Sequence, residues 1–373
     1  MPATNQKLLS KLQHPLAITM WDFSWLERRW PGAGYEDWDE ALDGLVERGY
    51  DAVRIDGYPH LVAAGPEREW DIIAPWNQED WGSPTRVRVR VLPALTEFIK
   101  KCRDRGLRVG LSTWFQNDTT RQHLLIASPR AHANIWLSVL DHIGRAGLLD
   151  SILYLDLCNE WPLNCWAPFF KNTGGNDRDW RTPASLGWLR EATEIIRAKH
   201  PSLPLTTSFT TCIDPSDTNG VDPGFMDFLA IHQWMGSATE FNERAGYHFE
   251  RFEPTGFENL ALYADKLYRS DPDHWKRLLA VHLDSFAEWS RATAKPLVTT
   301  EGWAIVDYKD WPGLDWAWVK EFNAWAVERV VASGRWAAIC TSNFCGPQFR
   351  GMWRDIAWHR DLTEKIHAGK LPA

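Results

Sequence analysis

The chain has 373 residues, with 41 Lys and Arg against 49 Asp and Glu, for a net charge of −8. No Lys/Arg-rich patch stands out, and the most basic stretch, Arg86 to Arg105, reads as a helix with a solvated face; this argues against nucleic-acid binding and for a neutral small molecule over a polyanion. No apolar run is long enough to cross a bilayer, and the Met-led N-terminus lacks an apolar signal-type segment, so a cytoplasmic protein with no membrane partner is expected.

In chain order the pattern is strand, loop, helix, repeated. The predicted strands are Leu16–Met20, Ala52–Asp56, Arg108–Ser112, Ser151–Leu157, Leu205–Phe209, Phe228–His232, Pro296–Thr300 and Trp336–Thr341. Several are near-continuous apolar runs, as expected of strands covered on both faces. Helical spacing marks three of the intervening segments: Trp38, Leu42, Leu45 and Gly49; Trp275, Leu278, Leu279, His282, Phe286 and Trp289; and Trp318, Phe322, Trp325 and Arg329. Arg105-Gly106 and Ser333-Gly334 supply helix stops before the third and eighth strands. Eight such alternations predict a closed (β/α)8 barrel, with residues 1–373 forming one domain. The long irregular stretches, Gly57–Thr85, Trp161–Thr182, Thr210–Phe225 and Met235 to about Trp275, all follow strands and so belong at the C-terminal face of the barrel.

Composition adds one signal. Tryptophan supplies 24 residues, and an indole plane is a good surface for the C–H face of a sugar; most of these rings are nevertheless expected in the core. Six cysteines show no Cys-x-x-Cys spacing, and the histidines form no His-x-His or His-Glu-x-x-His set, so neither a metal nor a cofactor is expected. There is no Gly-x-Ser-x-Gly elbow.

Two glutamates terminate β-prone runs. Glu160 closes Ile152-Leu-Tyr-Leu-Asp-Leu-Cys-Asn-Glu, and Glu301 closes Pro296-Leu-Val-Thr-Thr-Glu. Barrels of this kind carry their chemistry at strand C-termini. Retaining glycoside hydrolysis requires two carboxylates there, an acid/base and a nucleophile. Glu160 would protonate the leaving oxygen and Glu301 would attack the anomeric carbon, with Asn159 placed to hold a sugar 2-hydroxyl. Arg54 alternates with Val53 and Ile55 and needs a partner; Glu301 is one candidate, and a structural bridge to Asp56 or Asp22 is the other. Asp22, at the end of the first strand, is placed to bind sugar hydroxyls. Trp25, Trp114, Gln116, Trp161, Trp166 and Trp311 lie in loops on the same face, where packing is at least as good an explanation as sugar contact.

With Arg54 at the second strand, Asn159-Glu160 at the fourth, His232 at the sixth and Glu301 at the seventh, the chain resembles the large clan of retaining glycoside hydrolases that includes the cellulases, and most of all a cellulase-like member. The resemblance implies Glu160 as acid/base, Glu301 as nucleophile, Arg54 in support of the nucleophile and His232 at the border of the site, with a carbohydrate as the partner. Two departures touch substrate and subfamily. The clan's His-x-Tyr reads His232-Gln233-Trp234 here, so the Trp234 indole stands where a tyrosine would meet the nucleophile. The sugar-stacking Trp at the eighth strand is replaced by Thr341-Ser-Asn-Phe-Cys345, leaving Phe344, Asn343 or Trp303 for that place. A sugar-binding protein without turnover, and transglycosylation on the same machinery, are the competing expectations.

Overall fold

The computed structural model describes residues 7–74, 81–173, 175–176, 179–210, 221–235, 240–247, 254–306, 308, 310 and 314–372. Eight strands run parallel: β1 (Leu16–Asp22), β2 (Ala52–Asp56), β3 (Arg108–Ser112), β4 (Ile152–Asp156), β5 in two pieces (Leu205–Thr206 and Ser208–Phe209), β6 (Leu229–Ile231), β7 (Leu297–Thr299) and β8 (Trp336–Ile339). The order is β5-β4-β3-β2-β1-β8-β7-β6-β5. The first piece of β5 pairs with β4 and the second with β6, so the break at Thr207 is where the ring closes. This is a (β/α)8 barrel.

The helices among the described residues are α1 (Trp38–Glu47), α2 (Val91–Asp104), α3 (Pro129–Arg145), α4 (Pro183–Lys199), α5 (Pro254–Ser270), α6 (Pro272–Thr293), α7 (Ala317–Ser333) and α8 (Ile356–His367), with shorter turns between them. Their starts follow local chemistry. Asp37, Ser128, Thr182, Asp271 and Asp355 each accept a hydrogen bond from the first turn, satisfying amides that the helix itself leaves open. Gly106 and Gly334 take positive φ, +75° and +63°, at the stops read from the sequence. The expected apolar stripes are buried: Trp38, Leu42 and Leu45 on α1, Trp275, Leu279 and Phe286 on α6, Trp318 and Phe322 on α7.

Two stretches differ from expectation. The loop after β2 carries a short antiparallel hairpin, Trp70–Ile72 with Val87–Val89, so the basic stretch from Arg86 begins as a strand before α2. The long connection after β6 holds α5, whose Phe257, Leu260, Ala264 and Tyr268 are buried at helical spacing. Between β5 and β6 no helix occurs among the described residues.

The barrel interior is layered. Towards the N-terminal ends of the strands Leu16, Ile18, Ala52, Tyr154, Phe228, Ala230, Val298 and Ala338 form one apolar cluster, covered by Leu8 from a 3₁₀ turn region. Gly110 makes room for Tyr154, since a Cβ there would meet its ring at 2.6 Å. Nearer the C-terminal ends the inward positions become polar: Arg54, Ser112, Asp156 and Ser208.

Candidate active site

Arg54 organises that polar layer. Its Nη2 donates to Asp156 Oδ2 at 2.7 Å, Asn159 Oδ1 at 2.7 Å and Ser112 Oγ at 2.9 Å. Its Nη1 donates to Glu301 Oε1 at 2.7 Å. The guanidinium carbon lies 4.5 Å from the Trp114 ring centroid. A buried guanidinium needs this density of acceptors, because losing water without partners would be prohibitive. Of the two partners weighed for Arg54, the structure brings Glu301 to it; the structural bridge runs to Asp156, not to Asp56 or Asp22. Asp56 instead accepts from the backbone amides of Trp114 and Tyr58.

Glu160 lies just past β4 with φ +48°, a left-handed conformation costing a non-glycine residue about 1–2 kcal/mol. Its amide donates to Ser208 Oγ at 3.0 Å, and its Oε2 accepts from Trp166 Nε1 at 3.1 Å. His232 Nδ1 lies 3.2 Å from Glu160 Oε1 and 3.6 Å from Glu301 Oε1, while its Nε2 is 3.3 Å from Thr300 Oγ1. One oxygen of each glutamate and one nitrogen of His232 lie within 4.8 Å of one another. Glu160 and Glu301 are only 8% and 7% exposed, so both are largely withdrawn from water.

Burial pushes the Glu301 carboxyl above the ordinary range; the charge of Glu160 adds to this, and His232 and Arg54 oppose it without cancelling it. Burial also pushes Glu160 up, but hydrogen bonding and charge from His232, with Thr210 and Trp166, outweigh it and hold the carboxyl low. Asp22 is buried, accepts from the Ser24 amide at 2.6 Å, and is pushed well up by desolvation. Asp22 closes β1 at the same end of the barrel.

Glu160, His232 and Glu301 could in principle ligate a divalent ion. Arg54 already places a fixed positive charge 2.7 Å from Glu301, which disfavours a second cation there. His14, Asp51 and His367 form a second such group at the other end of the barrel.

The tryptophans divide sharply. Trp166 and Trp114 touch Glu160 and Arg54. Trp234 is buried with its ring 6.1 Å from that of His232. Trp161 donates its indole N–H to Ser185 of α4, and its ring packs among His132, Phe170 and Trp188, the packing role weighed for it in the sequence. Trp303 is fully buried and donates to Cys340 O at 2.9 Å under the β8 end. Trp25 packs on Trp38 and Phe98. Gln116 is buried with neither amide atom paired, and Trp311 lies outside the described residues. Gly302 allows a close approach of the backbone, as a Cβ there would stand 3.0 Å from Gln233 O. The sequence reading missed Asp156, Ser112, Ser208 and Thr300. Asp156 had a signal: an acid at an inward position of an apolar strand needs a buried partner, as Arg54 does.

The sugar-binding cellulase-like family matches residues 18–367. The chain belongs to that family. The crystal structure of a candidate glycoside hydrolase from Parabacteroides distasonis is similar over 96% of this chain and 95% of its own, with 46% identity and a TM-score of 0.93. An endocellulase of Pyrococcus horikoshii, crystallised with cellotetraose, shares the fold at 13% identity and TM-score 0.52, over 95% of this chain and 92% of its own. A glycoside hydrolase family 5 mannosidase of Rhizomucor miehei does so at 11% identity and TM-score 0.53, over 95% and 93%. No curated protein sequence matches. Among the described residues no helix is long and apolar enough to cross a membrane.

Proposed function

We propose that the protein is a retaining β-glycosidase, with Glu301 as nucleophile and Glu160 as acid/base. The observation that carries this is the approach of the two carboxylates to within 4.8 Å at the ends of two barrel strands. Double displacement uses a separation of about 5–5.5 Å, whereas inversion needs about 6.5–9.5 Å to admit a water. Arg54 supports the ionised Glu301 and fixes Asn159 through its Oδ1, leaving the Asn159 amide hydrogens for a sugar 2-hydroxyl.

The reaction requires the proton on Glu160 and the charge on Glu301. In this structure the surroundings favour the reverse, with Glu301 raised and Glu160 lowered. Two carboxylates this close titrate as a pair. His232 Nδ1 lies between them, 3.2 Å from Glu160 Oε1 and 3.6 Å from Glu301 Oε1. Glu160 first protonates the glycosidic oxygen while Glu301 attacks; it then deprotonates water, which releases the sugar from Glu301.

A carbohydrate binder without turnover is the second reading, favoured by Trp234 in place of the clan's tyrosine. The test is incubation with activated 2-deoxy-2-fluoro β-glycosides, read by intact mass and peptide mapping. A stable adduct on Glu301 is expected. Binding by calorimetry with no adduct from any sugar would support the binder instead.

A further inference from the structure

Four loops on one side of the catalytic face lock together. Trp81, after β2, lies 4.8 Å from Phe349 and stacks at 6.3 Å on Phe344, both after β8. Phe344 also meets Phe349 at 5.1 Å and Trp316, from the β7 loop, at 5.2 Å. Tyr35, from the β1 loop, donates to Gln348 Oε1 at 2.5 Å. Polar ties hold the strands of this wall in place. Arg28 donates to Gly82 O at 2.9 Å, the Gly82 amide to Ser24 Oγ at 2.8 Å, and Trp316 Nε1 and the Gly351 amide both to Asp310 Oδ1. All the aromatic rings named are buried. In an eight-strand ring β8 stands opposite β4, so this wall faces Glu160 across the site.

Its position has a chemical meaning. Glu160 delivers its proton to the leaving oxygen, so the departing sugar lies on the β4 side. The sugar bonded to Glu301 lies on the other side, towards β8, β1 and β2. There an open cleft would let a polymer continue; a packed aromatic wall stops it. Two side chains in the wall's loops keep a buried polar atom without a partner: Gln348 Nε2 and Asn343 Oδ1. Asn343 is tethered to Val306 O through Nδ2, and Gln348 to Tyr35 through Oε1, so both are fixed in orientation.

We infer that the site accepts a single sugar on the glycone side and acts from the non-reducing end, with Gln348 and Asn343 meeting hydroxyls of that terminal sugar. This rests on the glycosidase reading. It is argued from the wall's own contacts and from its place opposite β4.

The test uses the intact protein and two sets of 2,4-dinitrophenyl 2-deoxy-2-fluoro β-glycosides, one of monosaccharides and one of the matching 1,4-linked disaccharides. One-sugar adducts on Glu301 are expected, with disaccharide reagents slower by at least about tenfold. Equal labelling by disaccharide reagents overturns the closed pocket and leaves the glycosidase reading standing. No adduct from either set counts against the glycosidase reading itself, and the inference falls with it. Phe344→Ala should let the disaccharide reagents label. Should that variant not fold, digestion of a β-linked tetrasaccharide labelled at its reducing end decides the matter: labelled trisaccharide first supports end-wise action, labelled disaccharide first overturns it.

Discussion

The two ends of the barrel interior fill the same kind of space in opposite ways. At the N-terminal end, Ile18, Ala52, Tyr154, Phe228, Val298 and Ala338 meet carbon to carbon beneath Leu8. At the C-terminal end, Arg54, Asp156, Glu160, Glu301, Asp22 and Asp56 are all buried together. The first arrangement stabilises by removing apolar area from water. The second gains little net stability, because desolvation of each charge offsets most of what pairing returns. Such a layer is understandable where its charges act on something, and it makes the two ends respond differently to mutation.

The largest separation should come from Glu301→Ala. Loss of a covalent nucleophile costs activity on the order of 10⁵–10⁶-fold. Arg54 would still pair with Asp156, so the melting temperature should move little. Hydrolysis of a preferred glycoside and thermal melting measure the two effects; surviving turnover would reassign the nucleophile.

Glu160→Gln should lower activity by about 10²–10⁴ on substrates with poor leaving groups and by much less on dinitrophenyl glycosides, which need no proton. A second effect has a definite sign. The Glu160 charge raises the Glu301 carboxyl, so removing it lets Glu301 ionise at lower pH. The acidic limb of labelling by a fluoro-glycoside should therefore shift to lower pH in the variant. A shift upward would contradict the coupling between these two groups.

Arg54→Met tests the cost of the polar layer itself. Asp156 and Glu301 would stay buried without their shared cation, at a cost of about 3–5 kcal/mol. Both denaturant midpoint and activity should fall, unlike Glu301→Ala, where only activity does. Gly110→Ala probes the other end. Its Cβ would press on the Tyr154 ring, for a loss of about 1–3 kcal/mol with kcat nearly unchanged. A large change in kcat would show that the two ends are mechanically linked.

The strands themselves were legible in the sequence. Ala52–Asp56 and Arg108–Ser112 coincide residue for residue with β2 and β3, where Val53 and Ile55, and Val109 and Leu111, alternate with the residues between them. The ring closure was not legible, since a one-residue break at Thr207 changes hydrogen bonding and not composition. At the C-terminal end the positions of Glu160, Glu301 and Arg54 followed from strand ends and alternation. Which way a tryptophan turns did not. Trp161 and Trp166 stand five residues apart in one loop, yet one packs on α4 and the other donates to Glu160. That choice is made by Ser185, His132 and Trp188, all distant in sequence.

The smallest expected effect lies at the rim of the polar end. Glu27 is buried, accepts from Tyr58 Oη at 3.0 Å and from the Ser83 amide at 3.3 Å, and desolvation pushes its carboxyl up to about 8. An acid whose folded-state pKa exceeds its unfolded value holds its proton in the native state after the unfolded chain has lost it. Its contribution to stability is then fully present below the ordinary glutamate range, declines as pH rises, and is lost above about 8. Glu27→Gln cannot ionise. It gives up the Ser83 contact, so at pH 5 it should be slightly less stable, by about 1 kcal/mol. Above pH 8 it should be the more stable of the two, because the parent then carries an uncompensated buried charge. Melting temperatures of the two proteins plotted against pH should cross between those values. Parallel curves would mean that Glu27 ionises as readily in the fold as out of it, and that the polar end tolerates charge at its rim as well as around Arg54.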